Sequence, residues 1–336
     1  MTYLWALPAI TASLVGSSAA TTAVEPPAIP QSPATQAITE AIAPSLSDPT
    51  TEILELDDDR YNRFTIPVMI EGAGPFDFMI DTGSQATAVT HQINEGLQLT
   101  PFGTATLVGM ASRRPVDVVE VDSMTFGTHT VRDLISPVLD RHNVGADGII
   151  GLDSLQDFRV LIDFRDDTIA LQEVSSIRNY RKGFEIIVRA RQELGQLLIT
   201  DALVEGVRAT VIIDTGAQGS LGNIALQNRI RTQRSQQVTT TDVNGVQITG
   251  DLSYVRSLTI EGLQLTNVPL AFADAPAFEA LGLSDQPVLA LGMQHLRMFD
   301  RVAIDFSRQR ILFDVPRDVA RQMRRNRIRG VQAPLN

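Results

Sequence analysis

Across residues 56–316 the apolar positions fall in short runs, many alternating with polar ones, and the runs are broken by Gly, Asn and Asp. That pattern predicts short strands joined by turns. One run, Phe76 to Ile80, follows a glycine-containing turn after Ile70-Glu71-Gly72 and ends on Asp81. Another, Ala209 to Ile213, follows Val204-Glu205-Gly206 and ends on Asp214. Each is expected to be a β-hairpin that delivers an aspartate at the end of its second strand. Within these residues helix is expected only as one short segment after Gly151 and one after Gly292.

Four blocks recur in the same order, the mark of a duplicated unit. Asp81-Thr82-Gly83-Ser84 is matched 133 residues later by Asp214-Thr215-Gly216-Ala217. Ser123–Gly127 is matched by Ser257–Gly262 at an offset of 134, and Ile149–Leu155 by Ala290–Leu296 at 141. Phe158–Phe164 is matched by Phe299–Phe306, again at 141. The expected halves are 56–176 and 183–316, joined by the polar stretch around Arg178–Lys182. Two copies of one unit pack about an approximate two-fold axis. The fold class is therefore mainly β, with two homologous lobes, and the axis sends equivalent features to one central place. The two aspartates are expected to meet there.

An aspartate at the end of a buried strand is costly unless it is hydrogen-bonded, paired or put to use. Two carboxyls held within a hydrogen bond of each other do not both ionise: like-charge repulsion raises the pKa of one, and they share a proton. One can then take a proton from a bound water while its protonated partner polarises a carbonyl. That is general-base and general-acid hydrolysis of an amide, with no covalent intermediate. Thr82 and Thr215 offer hydroxyls that can bond across the axis to the opposite loop's backbone. Gly83 and Gly216 let the backbone approach the carboxyls and aim N–H groups at them.

Composition removes several rivals. The 336 residues, 43% apolar and 20% charged, suit a soluble globular chain with a large core. A net charge of −11 argues against a nucleic-acid binder. There is no cysteine, so thiol catalysis, zinc–thiolate sites and disulfides are excluded. His91, His129, His142 and His295 are scattered without ligand spacing, so no metal is expected. The stretch after Gly72 lacks the third glycine of a dinucleotide loop, and neither a Walker loop nor a Gly-x-Ser-x-Gly elbow is present. No cofactor is expected. Asp163 and Asp305, in the duplicated Ile-Asp-Phe segments, are expected to be strand-end or turn carboxylates.

With both motifs in view, the chain resembles the pepsin-clan aspartic proteases, most closely the retropepsin-like branch with two lobes fused in one chain. The resemblance covers both halves but neither the first 55 residues nor the basic tail. It implies an acid-protease fold of two β-barrel-like lobes, with Asp81 and Asp214 as the catalytic pair. Thr82, Gly83, Ser84, Thr215, Gly216 and Ala217 would form the supporting shell. The apolar-apolar-Gly segments ending at Gly151 and Gly292 resemble the strand packed beneath the aspartate loop. A hydroxyl after the motif can bond the carboxylate and lower its pKa. Ser84 against Ala217 thus predicts the negative charge on Asp81 and the proton on Asp214, unless both positions merely require a small residue. Val108, Gly109 and Met110 in the first half, and Val243, Asn244 and Gly245 in the second, sit where the family's flaps would be. Flaps exclude water and hold an extended peptide by main-chain bonds. Val108 and Met110 hint at apolar substrate side chains.

The ends of the chain carry weaker signals. Residues 1–20 read as a signal peptide with a cleavage site at Ser18-Ala19-Ala20, or else as an Ala/Ser/Thr-rich tail, and they predict export to the periplasm or outside. Residues 21–55 read as a disordered linker and 317–336 as a basic tail, whose segment 317–329 is expected to be a helix, either solvated or touching an anionic lipid surface or the acidic body of its own protein. The functional expectation is a monomeric aspartic endopeptidase acting on extended polypeptide. The alternatives are a catalytically silent peptide-binding module on the same fold and a lobe-swapped homodimer.

Overall fold

The computed structural model describes residues 4–6, 10–11, 51–55, 57–58, 64–173, 183–230, 234–329 and 333–335. Most of the expected signal peptide and linker, and the joint around Arg178–Lys182, lie outside the described residues. The chain is mainly β. Each half opens on the hairpin that its alternation predicts. Phe64–Ile70 pairs antiparallel with Ala73–Ile80, and Gln196–Val204 with Val207–Ile213. The two turns are copies of each other: Glu71 and Gly72 have φ of 50° and 79°, Glu205 and Gly206 of 50° and 80°. Two successive left-handed residues match the twist of the flanking strands. A glutamate is held there because it reaches a neighbouring strand. Glu71 N donates to Ser123 O (2.9 Å) while its Oε1 accepts from Asp122 N. Glu205 N donates to Ser257 O (2.9 Å) and its Oε1 accepts from Arg256 N.

In both halves a parallel strand then slots beside the second hairpin strand. Gly148–Ile150 pairs with Phe78–Ile80, and Val288–Leu291 with Thr210–Ile213. The short helices Leu152–Leu155 and Met293–Leu296 follow directly. Long hairpins complete each lobe: Thr100–Val108 with Arg113–Phe126, and Arg234–Asp242 with Gln247–Ile260. Near the N-terminus, residues 4–6 pair parallel to Thr106–Val108, and residues 10–11 pair antiparallel to Thr241–Asp242.

The lobes share a six-stranded sheet, in the order Ile186–Arg189, Arg310–Asp314, Arg301–Asp305, Phe158–Asp163, Thr168–Glu173 and Thr51–Glu55. Its register displays the two-fold axis. Leu161 lies opposite Ala303, Arg159 opposite Asp305 and Asp163 opposite Arg301. The related Arg159 and Arg301 both lie over the ring of Phe184, 5.0 and 5.1 Å from its centroid. Burial pushes Arg159 down to about 10. Asp163 and Asp305 accept from the backbone N–H groups of Arg165 (3.0 Å) and Arg308 (2.9 Å), as turn carboxylates do.

Two expectations need correction here. The linker does not extend to residue 55: Thr51–Glu55 is the edge strand paired with Thr168–Gln172 and occupies the place that Ile186–Arg189 holds on the other side. A strand without alternation of its own forms because the sheet offers it an open edge. Helix is also not confined to the segments after Gly151 and Gly292: His91–Leu97 and Pro276–Ala280 form as well, the first burying Ile93 in the main core. The basic tail takes its expected helical form over Arg317–Arg329 and packs on the body of its own protein, with Ala320 and Met323 buried in the main core.

Candidate active site

The strands Ala73–Ile80 and Val207–Ile213 run straight into the loops that begin with Asp81 and Asp214. Asp81 N donates to Ile150 O (3.0 Å) and Asp214 N to Leu291 O (3.1 Å), which pins each loop to the parallel strand beside it. Leu152 N returns a bond to Ser84 O (2.9 Å), and Met293 N to Ala217 O (2.8 Å). Between these bonds there is room only for glycine. A Cβ on Gly151 would fall 2.3 Å from the carbonyl carbon of Ala86, and one on Gly292 would fall 2.1 Å from the carbonyl oxygen of Gly219.

The two loops interlock across the axis. Thr82 Oγ1 donates to Ile213 O (2.9 Å) and Thr215 Oγ1 to Ile80 O (2.8 Å). Each hydroxyl also accepts from the other's backbone: Thr82 N to Thr215 Oγ1 (3.0 Å) and Thr215 N to Thr82 Oγ1 (3.3 Å). Within its own loop, Asp81 Oδ1 accepts from Gly83 N (2.8 Å) and Ser84 N (3.1 Å). Asp214 Oδ1 accepts from Gly216 N (3.1 Å) and Ala217 N (2.9 Å). Both aspartates are fully buried, and these N–H groups satisfy one oxygen of each. The Asp81 carboxyl lies against the other loop, since a Cβ on Gly216 would fall 2.3 Å from its Cγ. A carboxyl from one lobe thus touches the aspartate loop of the other.

The tips of the two long hairpins exchange lobes. Met110 belongs to an apolar cluster of the C-terminal lobe that includes Leu198, Ile212, Ala217, Leu221 and Ala290. Val243 belongs to a cluster of the N-terminal lobe that includes Met79, Ala88, Leu107 and Ile149. Met79 and Ile212 lie on the strands that deliver the aspartates. Gly109 and Val108 are buried, Asn244 is half-buried, and Gly245 turns the second tip with a φ of 73°.

The aspartyl protease family matches this chain twice, over residues 66–154 and 200–294, together more than half of its length. The chain belongs to the aspartyl protease family. No curated protein gives a match. Each family match runs from an aspartate hairpin to just past the glycine beneath it, so the duplicated unit is the family's own unit.

Ser84 of this aspartyl protease does not do what its hydroxyl suggested. Its Oγ donates to Ala86 O at 2.7 Å, and only its backbone N–H reaches Asp81. Ala217 makes the same backbone bond to Asp214. The basis for placing the negative charge on Asp81 is therefore gone, and the two positions are alike in being small and fully buried.

Three contributors escaped the sequence reading. Gln196 is fully buried and donates from Nε2 to Gly83 O, so the second lobe's first long strand grips the first lobe's aspartate loop. Its only sequence signal is a polar residue opening the run Leu197-Leu198-Ile199. Asp242, at the edge of the second tip, opens an Asp-x-Asn-Gly turn in which the aspartate side chain bonds forward to Asn244 N and Val246 N. His295 lies buried with Nδ1 against Ser220 Oγ at 2.7 Å, and burial lowers its pKa from 6.5 to about 4.

Proposed function

We propose that this protein is an aspartic endopeptidase in which Asp81 and Asp214 act as one pair, activating a water that attacks the scissile carbonyl of an extended polypeptide. The observation that carries this reading is the reciprocal threonine interlock, which fixes two buried aspartate loops face to face from opposite lobes. One carboxyl of the pair works as the base on water, the other as the acid that polarises the carbonyl and then protonates the leaving nitrogen. The buried, pre-formed donors hold both groups without reorganisation during turnover.

Substrate binding fits strand addition along the hairpins. Residues 4–6 run parallel to one hairpin and residues 10–11 antiparallel to the other, the directions in which a single extended peptide would cross both. We place the enzyme outside the cytoplasm, as a monomer, on the strength of its apolar N-terminal stretch and its fused lobes.

The test is cleavage of a mixed peptide library by the purified chain, with its mass in solution measured alongside. Asp81→Asn and Asp214→Asn are each expected to lower kcat by about 10³-fold or more while leaving a folded monomer. Full activity in either variant defeats the paired mechanism. Peptide binding without cleavage by the parent chain would favour a silent binding module.

A further inference from the structure

The two hairpin tips carry a contact with no counterpart in the aspartate loops. Asp242 ends the strand Arg234–Asp242 and is buried. Its Oδ1 accepts from Asn244 N and Val246 N, both at 3.0 Å, and so shapes its own turn. Its Oδ2 faces the other lobe, where it accepts from Ala111 N (3.1 Å) and Ser112 Oγ (2.6 Å). Asn244 Nδ2 donates to the same serine hydroxyl at 2.9 Å. The first tip is closed on itself by Gly109 N donating to Ser112 O at 2.8 Å.

The duplication makes this contact informative. At the 133-residue offset that relates the aspartates, Met110 corresponds to Val243 and Gly109 to Asp242. Gly109 is also the residue against which Asp242 packs: a Cβ there would fall 2.4 Å from Asp242 Oδ2. Where related positions meet on an axis, there is space for one side chain and not for two. The chain has a carboxyl on one copy and a glycine on the other, a lock and its seat made from one ancestral position.

We propose that Asp242 is a positioning residue for the reaction, a latch that holds both hairpin tips closed over the Asp81 and Asp214 loops, with Gly109 as its seat. The proposal rests on the reading of those two aspartates as a working pair. Closing the latch seats Met110 in the C-terminal lobe and Val243 in the N-terminal lobe; a peptide enters when Ala111 N and Ser112 Oγ leave Asp242, and is held when those bonds re-form over it. Three hydrogen bonds between the tips, two to Asp242 from an amide and a hydroxyl and one from Asn244 to Ser112, govern an opening that exposes both apolar clusters together.

The chain has no cysteine, so a spin-label pair at Arg114→Cys and Gln247→Cys reports on the tips alone; both positions are exposed strand residues outside the contact. In the labelled parent a single narrow distance is expected. Ser112→Ala, which leaves the Asp242 turn intact, adds a longer population. Gly109→Ala, which wedges the seat and leaves Asp242 in place, does the same. Asp242→Ala makes the longer population dominant, and Asp242→Asn, which keeps one acceptor oxygen, falls between. In kinetics with a cleaved peptide, Ser112→Ala and Asp242→Ala raise KM, by about tenfold for the latter, with kcat changed less than about twofold. One unchanged narrow distance in all four variants overturns the latch, as does a loss confined to kcat. The distances are read without turnover, so a parent chain that cleaves no peptide defeats the catalytic reading and leaves the latch open to measurement.

Discussion

Behind the aspartate loops the two lobes hold a buried hydroxyl at the same place, Thr87 in one and Ser220 in the other. Each accepts from the glycine N–H beneath it, Gly151 N at 3.1 Å and Gly292 N at 2.9 Å. The onward partners differ. Thr87 Oγ1 bonds Asp153 Oδ1 at 2.6 Å and has Ser154 Oγ beside it at 2.7 Å. Ser220 Oγ bonds His295 Nδ1 at 2.7 Å, and His295 occupies the position matching Ser154. The backbone frame that aims the aspartates is thus kept in both copies, while the group completing the hydroxyl's bonding has diverged. The C-terminal lobe has gained a titratable side chain where the N-terminal lobe has a serine.

The shared frame is the most sensitive part. Gly151→Ala and Gly292→Ala each force a Cβ to within 2.3 and 2.1 Å of backbone atoms that cannot retreat without releasing an aspartate loop. Both variants are expected to lose about 4 kcal/mol or more, or to fail to fold, as read by soluble yield and denaturant midpoint. If one of them kept the parent's midpoint, the frames of the two lobes would not be equivalent.

The diverged part makes its own prediction. His295 is neutral in the fold, with a pKa lowered from 6.5 to about 4 by burial. Below 6.5 the unfolded chain takes up the proton and the folded chain does not. The stabilisation is therefore complete above pH 6.5 and is lost as the pH falls towards 4, by about 3 kcal/mol for a shift of this size. Asp314 works in the opposite sense: desolvation raises its pKa to about 6, so its contribution is lost as the pH rises towards 6. The overall pH curve hides both effects, and a difference separates them. The stability gap between the parent and His295→Asn should shrink by about 3 kcal/mol from pH 7 to pH 4, measured by urea unfolding at each pH. A gap independent of pH would mean that His295 is not held neutral.

Much of this arrangement is legible in the chain itself, because each aspartate hairpin carries its instructions locally. The apolar alternation from Phe76 to Ile80 and the left-handed Glu-Gly turns need no distant partner to be read. Thr51–Glu55 has no such pattern and is a strand only because Thr168–Gln172 offers an edge. Gln196 and Asp242 are unreadable for a related reason, since each is defined by what it touches 113 and 131 residues away. Ser84 shows the limit of reading a side chain by its type. Its hydroxyl had a plausible acceptor in Asp81, and the loop's own path supplies a nearer one in Ala86.

The threonine interlock tests whether the lobes share the load at the axis. Thr82→Val removes the donor to Ile213 O and the acceptor for Thr215 N; Thr215→Val does the converse to Ile80 O and Thr82 N. Each change strands two buried backbone groups and is expected to cost about 2 kcal/mol. The double variant should cost clearly less than the sum, because both residues serve one network. Strict additivity in a denaturant cycle would show two independent contacts instead of a coupled pair.

Ser84→Ala is the smallest change and the closest comparison, since it makes the first loop a copy of the second. The hydroxyl lost is a donor to Ala86 O, so the expected cost is about 1 kcal/mol of stability, the worth of one neutral hydrogen bond. The backbone bond from residue 84 to Asp81 is untouched by the substitution, and Ala217 makes the same bond to Asp214. The acidic limb of the kcat profile should therefore move by less than about 0.3 pH unit, because no donor to a carboxyl has been removed. A shift of a full unit to higher pH would mean that the hydroxyl turns to Asp81 once peptide is bound. The two lobes would then differ at the reacting atoms themselves, and the pair would carry a preferred seat for its proton.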